Sequence, residues 1–142
     1  MRTFETGATR DDADDKPDYA GFLCPLVVER YGAYMHSHRK QADGKLRASD
    51  NWKKGMTIAV YFSSLCRHHL DLWKLILGFK VVKVEHGVRH EVDIEEACCA
   101  IMFNVMGILH EVLKKKVDSP VRGDLIRFEG DLVKREVSHV RG

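Results

Sequence analysis

Asp93, Asn104 and Glu111 lie eleven and seven residues apart. At 3.6 residues per turn those spacings return to nearly the same face of a helix. Two carboxylates and an amide on one stripe, with Ala97 leaving room beside them, could hold a divalent cation or orient a water. A structural reading stands beside the chemical one. Asp93-x-x-Glu96 has the form of a capping box, with Asp93 as N-cap. Asn104 would then be a buried amide bonded to a neighbouring helix, since leaving it unpaired costs about 1–3 kcal/mol.

A second group is Arg67–His68–His69–Leu70–Asp71. His68 and Asp71 are three apart and face the same way, so they could bind a metal or act as an oriented base. Arg67 and Asp71 are four apart, and a surface ion pair is the plain alternative. His69 falls on the apolar face, where a satisfied core histidine is expected.

The third group is Asp50–Asn51–Trp52–Lys53–Lys54–Gly55, just before a predicted helix. A helix N-terminus favours phosphate, and a base could stack on the indole. A solvated loop with an anchoring tryptophan fits the same residues.

These groups need elements to position them. Pro25 suits a first helical turn, and Leu26, Val27, Tyr31, Tyr34, Met35 and His38 follow at helical spacing. Ala42–Asp43–Gly44 reads as a loop. A second helix should start near Thr57 and bury Ile58, Phe62, Leu65, His69, Leu72 or Trp73, and Ile76, with Gly78 as the stop. Val81, Val82, Val84, Val88 and Val92 alternate with charged residues around His86–Gly87, the pattern of a short hairpin. The third helix runs from Asp93 to about Lys116. Ala97 to Leu109 holds one polar side chain, Asn104, and a helix apolar all round is expected to be buried. Lys114, Lys115 and Lys116 complement its dipole, and Ser119–Pro120 should close it. The expected fold is mainly α: a compact helical domain with a short β-hairpin between the second and third main helices. Residues 1–21 read as an N-terminal arm with the acidic run Asp11, Asp12, Asp14 and Asp15, and 22–116 as the helical domain. Residues 117–142 read as a tail or weak amphipathic helix, with Ile126, Val133 and Val140 seven apart.

The chain's 142 residues suffice for one domain with its own core. Its 23 basic and 21 acidic side chains leave a net charge of +2, so bulk charge argues for neither nucleic acid nor a membrane surface. Cys24, Cys66, Cys98 and Cys99 form no C-x-x-C pair and are expected as small buried side chains in a reducing cytosol. Met1 to Asp15 is polar, unlike a secretory signal. The longest apolar stretch falls short of the ~20 residues that span a bilayer.

No Walker loop, no G-x-S-x-G, no adjacent His-Asp pair and no E-E-x-x-E followed by E-x-x-D is present. Six segments nevertheless follow one another in a familiar order: GATRD at Gly7–Asp11, KPDY at Lys16–Tyr19, CPLVVERYGAYM at Cys24–Met35, DNWKKGM at Asp50–Met56, RHHLDLW at Arg67–Trp73 and DIEEACCAIMFNVMGILHE at Asp93–Glu111. Over roughly residues 5–113 the chain resembles the phage and prophage dATP/dGTP diphosphohydrolase family, N-terminal domain. The resemblance implies cleavage of a deoxypurine triphosphate to monophosphate and pyrophosphate with Mg²⁺. It also implies a phage-encoded protein in the cytoplasm of a bacterial host.

Three functions follow as expectations. As an enzyme, Asp71, Glu96 and Asp93 would hold Mg²⁺. Lys53, Lys54 and Arg67 would neutralise the triphosphate, beside Asn51 and Trp52 as substrate contacts. His68 or Glu111 would orient the attacking water, and Asn104 would position the ligand. As a sequestering protein, the chain would bind a purine deoxynucleotide, or a nucleotide signal of host defence, without turnover. As an interaction module, it would be a homo-oligomer built on its helical faces.

Overall fold

The computed structural model describes residues 1–11 and 15–118, and the backbone of 125–128 and 131–134. The chain is mainly helical and carries three two-stranded antiparallel pairs among the described residues. It divides into one unit of residues 25–113 and a second made from 1–24 and 114–142.

In the larger unit α2 spans Pro25–Ser37, α3 spans Ile58–Ile76 and α4 begins at Ile94 and runs to Asp118. A single 3₁₀ turn covers Asn51–Lys54. Pro25 opens α2 as its type predicts, and α3 starts after Thr57, which holds the N-cap position without a side-chain capping bond. Gly78, at φ +87°, takes the left-handed conformation that ends α3. Strands β3 (Val81–Glu85) and β4 (Val88–Val92) pair antiparallel. The two residues between them, His86 and Gly87, both have positive φ (51° and 75°), the requirement of a tight primed turn. Asp93 caps α4: its Oδ1 accepts from the Glu96 backbone N–H at 2.8 Å.

Helices α3 and α4 run antiparallel. Tyr61, early in α3, lies against Gly107, late in α4. Leu72 and Leu75, near the end of α3, pack on the cluster of Val81, Val92 and Ala97. On α4 the buried positions are Ala97, Cys99, Ala100, Asn104 and Gly107. Those facing α3 are small, so the helices approach closely and the large side chains of α4 are turned away.

That packing corrects two expectations. The apolar ring of α4 is not buried all round: Met102, Val105, Leu109 and Val112 are exposed. On α3 the inward stripe is Tyr61, Leu65, His68, Leu72 and Leu75, which keeps Leu65 and Leu72 of the expected set and elsewhere falls one residue earlier; Phe62, His69 and Ile76 are exposed. Periodicity gave the right repeat and the wrong phase, because both flanking stripes are apolar. Helix α4 is also long and apolar enough by composition to cross a bilayer, so the exclusion by length falls; a core helix passes the same test. Cys24 and Cys66 are exposed, against the expectation of buried thiols, and all four cysteines are free.

In the other unit, β1 (Arg2–Thr3) pairs with β2 (Thr9–Arg10), and α1 (Tyr19–Phe22) is capped by Asp18. Strand β5 (Leu125–Phe128) pairs with β6 (Asp131–Lys134). A helical tail is therefore wrong for those eight residues. Ile126 and Val133, seven apart, are direct cross-strand partners rather than one helical face. Asp12, Asp14, Ser119–Pro120 and Val140 lie outside the described residues.

Candidate functional site

A cleft of about 380 Å³ opens within residues 25–113, between the C-terminal half of α2 and the segment leading to α3. Its chemistry comes from His36, His38, Arg39, Arg47, Asn51 and Trp52, and Phe103 closes its apolar end.

The two arginines are brought together by a small turn. Asp43–Gly44 sits at its tip, with Gly44 at φ +82°. Around it the Gln41 N–H donates to Lys45 O at 2.9 Å, Lys40 bridges Leu46, and the Arg47 N–H donates to Arg39 O at 2.8 Å. This ladder sets Arg39 opposite Arg47. Like charges facing each other across a β pair are destabilising, so the arrangement favours an anion at this point. Arg39 Nε donates to Arg47 O at 2.7 Å, which fixes one edge of its guanidinium. His38 Nδ1 lies 2.8 Å from Tyr34 O, a group that only accepts, so that nitrogen carries the proton.

Trp52 is both anchored and available. Its ring meets His110 edge-on at 4.9 Å and Phe103 at 6.5 Å, while the residue lines the cleft. Asn51 lines the cleft with it. Lys53 and Lys54, exposed on the same 3₁₀ turn, are not among the lining residues. Nor is Arg67, whose Nη1 donates to Ser63 Oγ at 3.2 Å on the outside of α3. The basic residues that line the cleft besides the histidines are thus Arg39 and Arg47, which were not among the expected contacts. The available signal was the near-symmetric run RKQADGKLR: a D-G turn that closes a hairpin pairs its flanking arginines.

The carboxylates expected to hold Mg²⁺ have other occupations. Asp93 caps α4. Asp71 Oδ2 accepts from Lys83 Nζ at 2.7 Å, and His68 Nδ1 stands 3.8 Å from the same oxygen. Burial, and then the Lys83 charge, hold the His68 imidazole below its ordinary pKa. Its charged form is thereby disfavoured, and the close ionic partner of Asp71 is Lys83. Lys83 is the cross-strand neighbour of His90, which meets Glu96 at 3.2 Å. The Asp71–Lys83 and His90–Glu96 pairs thus staple the hairpin to α3 and α4. Among the described residues no group of three or more His, Cys, Asp or Glu side chains is placed to hold a metal ion. Asp71, Asp93 and Glu96 thus form no such group.

Asn104 is buried, and its Nδ2 donates to Ala100 O at 2.8 Å, one turn back on its own helix. It neither bonds a neighbouring helix, as the structural reading expected, nor lines the cleft. Glu111 sits over Gly55, where an added Cβ would lie 3.1 Å from its Cδ and closer to Oε1. The stripe of Asp93, Asn104 and Glu111 exists, but its members do three separate tasks. Near Glu111, His110 Nδ1 is buried with no hydrogen-bond partner among the described residues. Burial, then the Glu111 charge, raise the Tyr61 pKa.

Comparison of the chain with protein-family models, with curated proteins and with solved structures returns no match.

Proposed function

We propose that this protein binds a purine nucleoside phosphate in the Arg39–Arg47–Trp52 cleft. The resemblance to the dATP/dGTP diphosphohydrolase family supports a deoxypurine triphosphate as the particular ligand. One observation carries the reading: two facing arginines and an indole share one cleft with an amide, Asn51, and two histidines. Phosphate oxygens match guanidinium donors in pairs, and the ring face of a purine matches the indole. A cleft of about 380 Å³ lies within the ordinary range of small-molecule sites. Binding without turnover is the form favoured, because the acidic side chains that metal-assisted hydrolysis would require are engaged in capping and ion pairs.

The test is calorimetry of the full chain with dATP and dGTP, with and without Mg²⁺, alongside measurement of released pyrophosphate. The reading expects binding that survives metal chelation and leaves the nucleotide intact. It expects Arg39→Ala and Arg47→Ala each to weaken binding by about tenfold or more, the worth of a charge-assisted hydrogen bond. Trp52→Ala should weaken nucleotide more than inorganic phosphate. Pyrophosphate release that tracks Mg²⁺ would establish the enzyme instead. No binding of any purine nucleotide would end both ideas.

A further inference from the structure

We propose that the exposed apolar face of the α3–α4 hairpin is a self-association surface, and that its occupant is the same face of a second copy of this chain. On α3 the exposed positions Phe62, Cys66, His69, Trp73 and Ile76 recur at intervals of four, three, four and three. On α4 the half-exposed Cys98 and the exposed Met102, Val105, Leu109 and Val112 recur in the same rhythm. That alternation is the seam of helices packed knobs-into-holes.

The two stripes lie on one side of the hairpin. Each is one residue on from the positions that touch the other helix: Phe62 after Tyr61, Val105 after Asn104. One step turns about 100° on an α-helix, and in an antiparallel pair that step leads to the same side from both helices. The opposite side is occupied, since Tyr31 reaches Met106 and Trp52 meets Phe103 and His110 there. No element of residues 25–113 makes such contacts on the seam side.

Size and charge select the occupant. Trp73 is 57% exposed, Phe62 58%, Ile76 67% and Leu109 54%. With Met102, Val105 and Val112 they leave on the order of 700 Å² of apolar side chain open, above the ordinary patch on a monomer and close to the ~800 Å² a stable dimer covers per partner. Neither stripe contains Asp, Glu, Lys or Arg, the composition of an interface core. A membrane-surface helix would instead flank its apolar face with basic residues. On α4 the first lysine after Ile94 is Lys114, beyond the seam. Two hairpins joined about a two-fold axis give a four-helix arrangement in which each apolar seam meets its own copy.

Sedimentation equilibrium of the full chain tests this. The expected mass is twice the 16.3 kDa of one chain at micromolar concentration. Leu109→Glu and, separately, Trp73→Glu should each return the single-chain mass with unchanged far-ultraviolet circular dichroism. Cys66, on the seam, supplies a readout without substitution. Its reaction with a maleimide should slow at least tenfold as concentration rises through the dimer transition, while exposed Cys24 reacts at a constant rate. Three results would overturn the proposal: a monomer at 100 µM (roughly the upper limit for a functional dimer), a dimer that survives both glutamates, or a monomer that partitions onto phosphatidylcholine vesicles. Nucleotide binding is read separately, so neither proposal depends on the other.

Discussion

Gly107→Ala should destabilise the protein although alanine is the better helix former. A Cβ on Gly107 would fall on the Tyr61 ring, 2.7 Å from Cδ1 and closer to Cε1 and Cζ. Tyr61 has little room to retreat: it is 1% exposed, and the Phe103 ring stands edge-on to it at 6.0 Å. Overpacking of this kind costs about 1–3 kcal/mol. Replacing glycine inside a helix returns up to about 1 kcal/mol. Three ring atoms lie within clash distance, so the upper part of the overpacking range applies and the net loss is about 1–2 kcal/mol. Urea denaturation at one fixed protein concentration should show a midpoint lower by about 0.5–1 M with an unchanged slope. The clash is specific to the ring. In a Tyr61→Leu background, Gly107→Ala should cost nothing or stabilise, giving a coupling energy of about 1–2 kcal/mol in a double-mutant cycle. If Gly107→Ala matches or exceeds the parent stability in both backgrounds, the close contact between α3 and α4 is misassigned.

Asp93→Ala should cost about 1 kcal/mol in urea denaturation, the worth of an N-cap, and leave nucleotide binding unchanged. Burial pushes the Tyr31 and Tyr34 hydroxyls up to about 12, with nearby Cys99 adding for both and Glu96 for Tyr34. An unfolded tyrosine ionises near ~10, so above that pH the unfolded chain releases protons that the folded chain keeps. Stability should therefore fall between pH 10 and about 12. The Tyr31→Phe, Tyr34→Phe double variant should lose part of that fall in urea titrations at pH 8 and pH 11. Lys83→Met should free Asp71 to act on His68 and raise its pKa, read by NMR titration of the imidazole; an unchanged or lower value would show that Lys83 does not set it.

Local rules made much of the fold legible. Pro25, Thr57, Gly78 and Asp93 mark helix ends through backbone chemistry that needs no partner, and His86–Gly87 marks a turn in the same way. Those signals act within a few residues, and the structure places the elements where they fall. The same locality explains the misses. Ile126 and Val133 satisfy both a helical and a hairpin spacing, and periodicity alone does not choose between them. The candidate site was half visible: Asn51 and Trp52 line the cleft, but Lys53, Lys54 and Arg67 do not. The arginines that do line it are eight residues apart and become neighbours only when the Asp43–Gly44 turn closes.

By itself, then, the sequence determined that α2, α3 and α4 are helices, where the central hairpin turns, and that α4 carries apolar side chains on every side. Only the tertiary structure decided which of those sides is covered. Small residues at Ala97, Ala100 and Gly107 let α3 come close, so that stripe is buried and the larger side chains remain outside. Lys83, delivered by a strand, claims Asp71, and the N-terminus of α4 claims Asp93. A list of polar residues shows what chemistry each could do; neighbours supplied by distant parts of the chain determine which of it each is free to do.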